Sequence, residues 1–312
     1  MWGCRVRSLL KRRSAVRGLT AIGISADSLA VVRAWREPGR KPVVDVYDVH
    51  PLAGEETARV LARLVTRYQL KRATCTTVLN LDDYKLLLTE APDVRAEELR
   101  AALRWRLKDL IDFHVNDAAI DAFDLPQGSG SGQGRSMFAV VAQNRVIRER
   151  VGLLQAAAVH LDIIDIPELS QRNVAALTPE DVSGVAFVSL TDRAGLITIT
   201  RQGELYFSRT LDLGTAAWSA GDPAVSADRL VLEVQRSLDY FDSHFRQSPV
   251  AHLLLDPVAA SVPSLVTHLA ANLNVRVGSW DPRTTLDWQV EVPAQPWLAV
   301  LGAALREEQV VL

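Results

Sequence analysis

Apolar residues along this chain recur with two periods, and the period changes at regular places. Leu19–Ser25, Leu29–Trp35 and Val43–Val49 are short apolar runs separated by Ala26-Asp27-Ser28 and by "EPGRKP". Runs of this length bounded by turn formers predict three strands. Over Glu55–Tyr68 the spacing lengthens, and Ala58, Leu61, Leu64/Val65 and Tyr68 fall on one face of a helix. Cys75–Leu79 returns as a strand. The second half follows the same order. Val185–Leu190, Leu196–Thr200 and Glu204–Leu211 are strands joined by Thr191-Asp192-Arg193-Ala194-Gly195 and Arg201-Gln202-Gly203. A long helix follows from about Ser226 to Phe245, with Leu230, Val234, Leu238, Phe241 and Phe245 spaced four, four, three and four apart. His252–Leu255 is a strand, Ser264–Leu273 a helix, Val275–Val277 a strand and Pro296–Glu307 a closing helix.

The order βββαβ therefore occurs twice, with little residue identity between the copies. A repeated topology of this kind predicts an α/β protein of two similar lobes facing a cleft, with the first hairpin of each lobe pointing into it. Between the copies lies an insertion. Lys85–Glu90, Ala119–Phe123 and Met137–Ala142 read as strands, and "QGSGSGQG" as a flexible loop. A helix is expected from Val94, capped by Asp93, to about Ile111, with Leu99, Leu103, Leu107 and Leu110 on one face. A helix over Val146–His160, a strand over Leu161–Ile166 and a helix from Pro167 to about Leu177 lead into the second half. The expected division is a basic tail (1–18), a first lobe (19–84), an inserted α+β subdomain (85–145), connecting elements (146–177) and a second lobe with the closing helix (178–312).

Composition narrows the function. The 312 residues are 48% hydrophobic and 23% charged, with a formal net charge of -2, so no global basic field exists to hold nucleic acid. Two cysteines, Cys4 and Cys75, make neither a metal spacing nor a disulfide framework, which fits a reducing cytosol. The start "MWGCRVRSLLKRRSAVRG" lacks the apolar core of a secretory signal. The nearest candidate span, Pro257–Val275, is broken by Pro263 and carries His268, Asn272 and Asn274. In the basic start, Arg5, Arg7, Lys11, Arg12, Arg13 and Arg17 alternate with Trp2, Val6, Leu9 and Leu10. Contact with anionic lipid is one reading; a solvated tail is favoured, because the apolar face is short.

The six histidines (His50, His114, His160, His244, His252 and His268) form no close-spaced ligand set, and neither G-x-S-x-G nor a P-loop occurs. The carboxylates of "DLIDFHVNDAAIDAFD" alternate with apolar residues and mark the wet side of a strand. The functional alternative is an acidic patch for a basic partner tail.

Four stretches carry a resemblance. "LRAALRWRLKDLIDFHVNDAAIDAFDLP" resembles the inserted subdomain of PilM-type pilus assembly proteins, and "LDIIDIPELSQRNVAAL" the stretch joining their halves. "SLDYFDSHF" is similar to their long second-half helix and "WLAVLGAALRE" to their closing helix. "KDLIDF" and "IDIPEL" look most like the MshI subgroup, which serves the mannose-sensitive haemagglutinin (MSHA) type IV pilus. The resemblance runs from about Leu19 to Arg306. It implies a two-lobed actin-like (RNase H-like) ATPase fold on the cytoplasmic side of the inner membrane, bound to the short cytoplasmic tail of a PilN-like partner. It also extends to the cytoplasmic part of the type II secretion L protein.

A working pocket of this fold needs small residues in both hairpins and an Asp in each to organise Mg²⁺ through water. The family's first hairpin begins Gly-Ile-Asp-Ile-Gly; here it is Gly23-Ile24-Ser25-Ala26-Asp27, and the usual later Lys falls near Val32, one residue before Arg33. The second hairpin, usually Val-Asp-Ile-Gly, is Val188-Ser189-Leu190-Thr191. The glycine-rich adenosine turn is replaced by Asp256-Pro257-Val258-Ala259-Ala260. Asp27 and Asp192 read as turn formers rather than substitute metal ligands. The loss of all three elements leads to the expectation of a non-catalytic scaffold with no cofactor and no metal, peripheral to the inner membrane through its partner or its basic tail. The pilus assembly ATPase is a further expected partner. The partner surface is expected beside the inserted subdomain, at Arg104, Trp105, Lys108, Phe113, Asp121 and Asp124. The alternative is an Mg²⁺–ATP-dependent switch or weak ATPase; a sugar or acid kinase of this fold ranks last, lacking an ATP pocket and a catalytic Asp.

Overall fold

Runs of Val, Ile, Leu and Ala between polar turns form the strands, and the residues at helical spacing cover them. The computed structural model describes residues 16–95, 97–126, 135–245 and 247–307. The basic start through Arg13 and the "QGSGSGQG" loop lie outside the described residues. The first half contains β1 (Leu19–Ile24), β2 (Ser28–Trp35), β3 (Val43–Pro51), α1 (Thr57–Arg67) and β4 (Thr74–Val78). The insertion contains β5 (Tyr84–Glu90), α2 (Leu99–Leu107), β6 (Ala118–Asp124), β7 (Ser136–Gln143) and α3 (Asn144–Ala156). Next come β8 (Leu161–Asp165), α4 (Pro167–Ala175), β9 (Val185–Leu190), β10 (Gly195–Arg201), β11 (Glu204–Leu211), α5 (Ala216–Ala220) and α6 (Pro223–His244). The chain ends with β12 (His252–Leu255), α7 (Pro257–Ala260), α8 (Leu265–Asn272), β13 (Arg276–Ser279), α9 (Pro282–Thr285), β14 (Asp287–Trp288) and α10 (Leu298–Ala304).

The repeat is visible in the sheets. One runs β14-β3-β2-β1-β4-β8 and the other β11-β10-β9-β12-β13. In each, an antiparallel meander of three strands is followed by two parallel strands reached by crossovers. Thus β8, expected only as a connecting strand, is the fifth strand of the first sheet, displaced in sequence by the insertion. The inserted subdomain is a separate sheet, β5-β7-β6, with α2 over Ile120, Ala122, Met137, Ala139 and Val141. Part of the stretch assigned to the second lobe serves the first. β14 pairs with β3, and α10 packs on β1, β2 and β4.

The helix expected over Val94–Ile111 is shorter than the leucine spacing suggests. Separate turns close at Val94 and Glu98, and the N-cap is Glu98 rather than Asp93, with no side-chain capping bond and its carboxylate paired with Arg95 at 2.6 Å. A tighter turn from the Leu107 carbonyl to the Leu110 amide ends it, leaving Leu110 54% exposed rather than in the core. In α1 the buried face is Val60, Leu61, Leu64 and Val65, and Ala58 is exposed.

The lobes meet across two helices, α4 and α10, between the sheets. The face of the first sheet under α10 carries small residues, Ala21, Ala30 and Ala34, whereas its other face carries Ile22, Leu29 and Val31 under α1. Small side chains let the helix backbone approach. At Gly302 an added Cβ would collide with the Ser170 carbonyl, and Asn173 Nδ2 donates to the Gly302 carbonyl at 2.9 Å. At Gly23 an added Cβ would collide with Val300 Cγ2 and approach the Trp297 ring.

Gly23 is therefore occupied by packing. Gly23→Ala is expected to lower unfolding free energy by about 1–3 kcal/mol through overpacking. Adding Val300→Ala should recover part of that loss, although Val300→Ala alone is destabilising. Urea denaturation of the four-member cycle checks this; strictly additive losses would show that Gly23 and Val300 are not coupled.

Candidate functional site

In each lobe the turn that ends the first strand of the meander is closed on itself. In the first, Ser25 N–H donates to the Ser28 carbonyl at 3.0 Å. Ser25 Oγ donates to Asp27 Oδ1 at 2.6 Å, Ser28 Oγ to the same oxygen at 3.0 Å, and Ser28 N–H to Ser25 Oγ at 3.1 Å. These bonds, Ser25's foremost and then Ser28's, hold the Asp27 carboxyl below the usual carboxylate range. The turn thus presents a negative charge where a phosphate would need N–H donors.

The second turn is closed from two sides. Ser189 Oγ donates to Gln171 Oε1 at 2.6 Å. Gln171, buried on α4, donates in turn to the Phe187 carbonyl at 2.8 Å and to Thr198 Oγ1 at 2.9 Å. Thr191 N–H and Oγ1 both donate to the Ala194 carbonyl, at 2.8 and 2.9 Å. The following segment fills the rest: Thr215 N–H donates to the Thr191 carbonyl and Ala216 N–H to the Asp192 carbonyl. The approach is so close that a Cβ at Gly214 would collide with the Asp192 carbonyl and the Arg193 backbone.

At the third position Asp256 caps α7, with Pro257 as its first residue. Its carboxylate accepts the Ala259 N–H at 2.8 Å, and its own N–H donates to the Val188 carbonyl at 2.9 Å. Burial pushes the Asp256 carboxyl up to about 7, against the backbone bonds from Ala259, Leu190 and Val258.

Further charged groups that the motif comparison did not single out lie around the first lobe's strand ends. Arg150 of α3 donates to the Ile24 carbonyl at 3.4 Å, the Val78 carbonyl at 3.5 Å and Asp83 Oδ2 at 3.1 Å. It places a guanidinium over the carboxyl ends of β1 and β4. The signal was present: Ile147, Arg150 and Leu154 share a helix face that is otherwise apolar. Glu168 on α4 is buried and accepts a hydrogen bond from the Tyr84 hydroxyl of β5, which ties the insertion to the helix between the lobes. Burial raises the Glu168 carboxyl to about 7. Buried Asp165 accepts Arg306 Nη1 at 3.0 Å and the Ile166 N–H at 2.9 Å.

The expected partner residues spread over the insertion. Trp105 is 73% exposed, with Lys108 Nζ 4.7 Å from its ring centroid. Arg104 is turned inward, donating to the Val115 and Ala118 carbonyls at 2.8 and 3.3 Å. Phe113 packs against the core under α2. Asp121, its carboxyl raised by burial, lies on the sheet face opposite Ile120 and Ala122. Asp124 pairs with Arg135 at 2.7 Å. The structure brings Trp105 and Lys108 together and sends Asp121 to the other side of the sheet.

Among the described residues no group of three His, Cys, Asp or Glu side chains could hold a metal ion. Two surface hollows, of about 570 and 280 Å³, lie along Trp35, Arg40 and Arg283 and along Arg33, Arg67 and Gln69; neither is lined by the Ser25–Ser28 or the Thr191–Ala194 turn. Among the described residues no helix is long and apolar enough to cross a membrane.

No protein-family model matches the chain, and no curated protein matches it. Solved structures do. A chain of the PilM–PilN type IV pilus biogenesis complex is similar over 92% of this chain and 98% of its own, at 18% identity and a TM-score of 0.72. A Bacteroides thetaiotaomicron protein of actin-like ATPase fold and unknown function is similar over 88% and 95%, at 8% identity and a TM-score of 0.51. The cytoplasmic domain of EpsL, an inner-membrane component of the Vibrio cholerae type II secretion system, is similar over 93% and 96%, at 13% identity and a TM-score of 0.50. The chain has the actin-like ATPase fold. Its likeness to the chain of the PilM–PilN complex is a likeness of fold that extends over nearly the whole of both chains.

The two raised carboxyls set a pH dependence. Glu168 and Asp256 keep their protons in the fold to about pH 7, whereas the unfolded chain sheds them near pH 4. The native state binds more protons across that window, so stability falls as pH rises from about 4 to 7. Glu168 faces Tyr84 and Asp165; Asp256 faces backbone donors. Glu168→Gln and Asp256→Asn are each expected to flatten the slope by a few kcal/mol at most, read from urea denaturation at pH 5 and pH 7.5. Unchanged slopes would mean that these carboxyls are ionised in the fold.

Proposed function

We propose that this chain is a non-catalytic scaffold of a type IV pilus assembly platform, of the MSHA kind, at the cytoplasmic face of the inner membrane. It would hold the short cytoplasmic tail of a PilN-like membrane protein. The observation that carries this reading is the state of the cleft. Ser25, Ser189 and Asp256 stand where a nucleotide would be gripped, and each is committed to bonds within the protein. The full-length likeness to a chain of the PilM–PilN complex supports the assignment to pilus assembly. Trp105 supports the insertion as the docking region, because an exposed Trp is the side chain most often found to dominate binding energy.

Two measurements test this. Millimolar Mg²⁺–ATP is expected to leave the melting temperature unchanged, since a ligand at 100 times its dissociation constant adds about 2.7 kcal/mol; a clear upward shift would favour the nucleotide-dependent switch. Synthetic cytoplasmic tails of candidate single-span membrane partners are expected to bind the folded chain, and Trp105→Ala to weaken that binding by about tenfold. Calorimetric titration that detects no tail binding to folded protein overturns the scaffold reading.

A further inference from the structure

We propose that the outer face of α6 pairs with the same face of a second copy of this chain, as two antiparallel helices about a two-fold axis. α6 runs for 22 residues, about 33 Å. Its buried residues, Ser226, Leu230, Val234, Ser237 and Phe241 among them, hold it on the second lobe. Opposite them lie Val225, Arg229, Leu232, Arg236, Asp239 and Ser243. They follow one another at alternating steps of four and three, which keeps them on one line along the helix. All six are exposed, and two of them are large apolar residues: Val225 is 64% exposed and Leu232 47%.

The charges on this stripe identify what covers it. Glu233 pairs with Arg236 at 3.0 Å and with Arg209 at 3.4 Å, and His268 bonds Asp228 at 2.8 Å. Among the described residues these are the ion pairs of α6, and Arg229 and Asp239 have none. Asp239 is also badly placed within its own helix. Asp242, a like charge, lies three residues on, and its carboxyl is raised by burial and then by Asp239. Asp242 stands in the last turn, where the helix dipole favours cations. A partner that brings a cation to Asp239 and an anion to Arg229 relieves both ends. The stripe itself meets that requirement. Arg229 and Asp239 each lie five positions from Val234, on opposite sides of it. Turned end for end about the level of Val234, a second stripe sets Arg229 of each copy against Asp239 of the other. The same rotation sets Leu232 against Arg236, whose aliphatic stem can cover it. A surface that is its own complement under a two-fold rotation has the form of an isologous interface. A foreign partner would have to carry both charges, in the opposite order, at the same spacing.

The test uses the full chain without any partner tail, so its failure leaves tail docking at the insertion untouched. A single helix pair is a small interface, at the weak end of specific association, so the dimer is read by sedimentation velocity from about 1 to 300 µM. The wild-type chain is expected to pass from monomer to dimer across that range, and to do so less at high salt. Arg229→Glu and Asp239→Arg each set like charges together at both ends of the pair. Each is expected to weaken the dimer at least about tenfold, with circular dichroism and melting temperature unchanged. Mixed in equal amounts, the two variants are expected to associate about as well as wild type, because opposite charges then meet at both ends. A wild-type chain that stays monomeric at about 300 µM overturns the proposal. So does a folded variant that dimerises as well as wild type, which would place the contact elsewhere. A mixture of the two folded variants that fails to associate overturns it as well.

Discussion

The crossing of α4 and α10 is the contact on which the rest of this structure depends. Each lobe is a five-strand repeat that buries one sheet face under its own helices and leaves the other exposed. Those two inner faces are covered by the same pair of helices, so neither lobe has a complete core alone. The helices must therefore lie close to each other and to both sheets. Gly302 against Ser170, Gly23 against Val300, and Ala21, Ala30 and Ala34 beneath them are the residues that permit it. Larger side chains at these points would push the lobes apart, since packed cores do not yield to added volume.

Under the proposed scaffold reading, the same closeness keeps the shape between the lobes without a nucleotide. A bound nucleotide with its metal is a clamp between lobes, supplying cation and hydrogen-bond donors at the strand ends. Here those functions are met from within. Arg150 sets a fixed positive charge against the ends of β1 and β4, Gln171 ties Ser189 to α4, and Glu168 with Tyr84 joins the insertion to the same helix. Ser25, Ser189 and Asp256 thus have their side-chain partners within the protein.

Much of this was legible in the sequence, because periodicity reports burial. His252–Leu255 is a strand to the residue, and the short apolar runs Val185–Leu190 and Leu196–Thr200 are strands with Phe187, Leu190, Ile197 and Ile199 buried. The turns at Ser25–Ser28 and Thr191–Ala194 were equally legible, since they are local. What escaped was non-local. β14 is two residues long and owes its existence to pairing with β3 and to Trp288 tilted against Tyr47 with ring centres 5.9 Å apart. The end of α2 at Leu107 reflects a backbone turn that the leucine spacing continues straight through. The apolar helix face around Arg150 signals its burial, but nothing along the chain announces its partner Asp83, which arrives from 67 positions earlier.

The charge distribution then separates two surfaces by role. Inside, acidic and basic groups are matched or protonated, as at Asp165 with Arg306 and at Glu168 under Tyr84. Outside, the insertion offers an aromatic side chain capped by a lysine, while the arginines of α1 are met by Glu55 and Asp48. An aromatic anchor suits a specific peptide, because its energy comes from close packing against one partner. Under the proposed scaffold reading, α2 on the insertion presents that contact without any change at the hairpin turns.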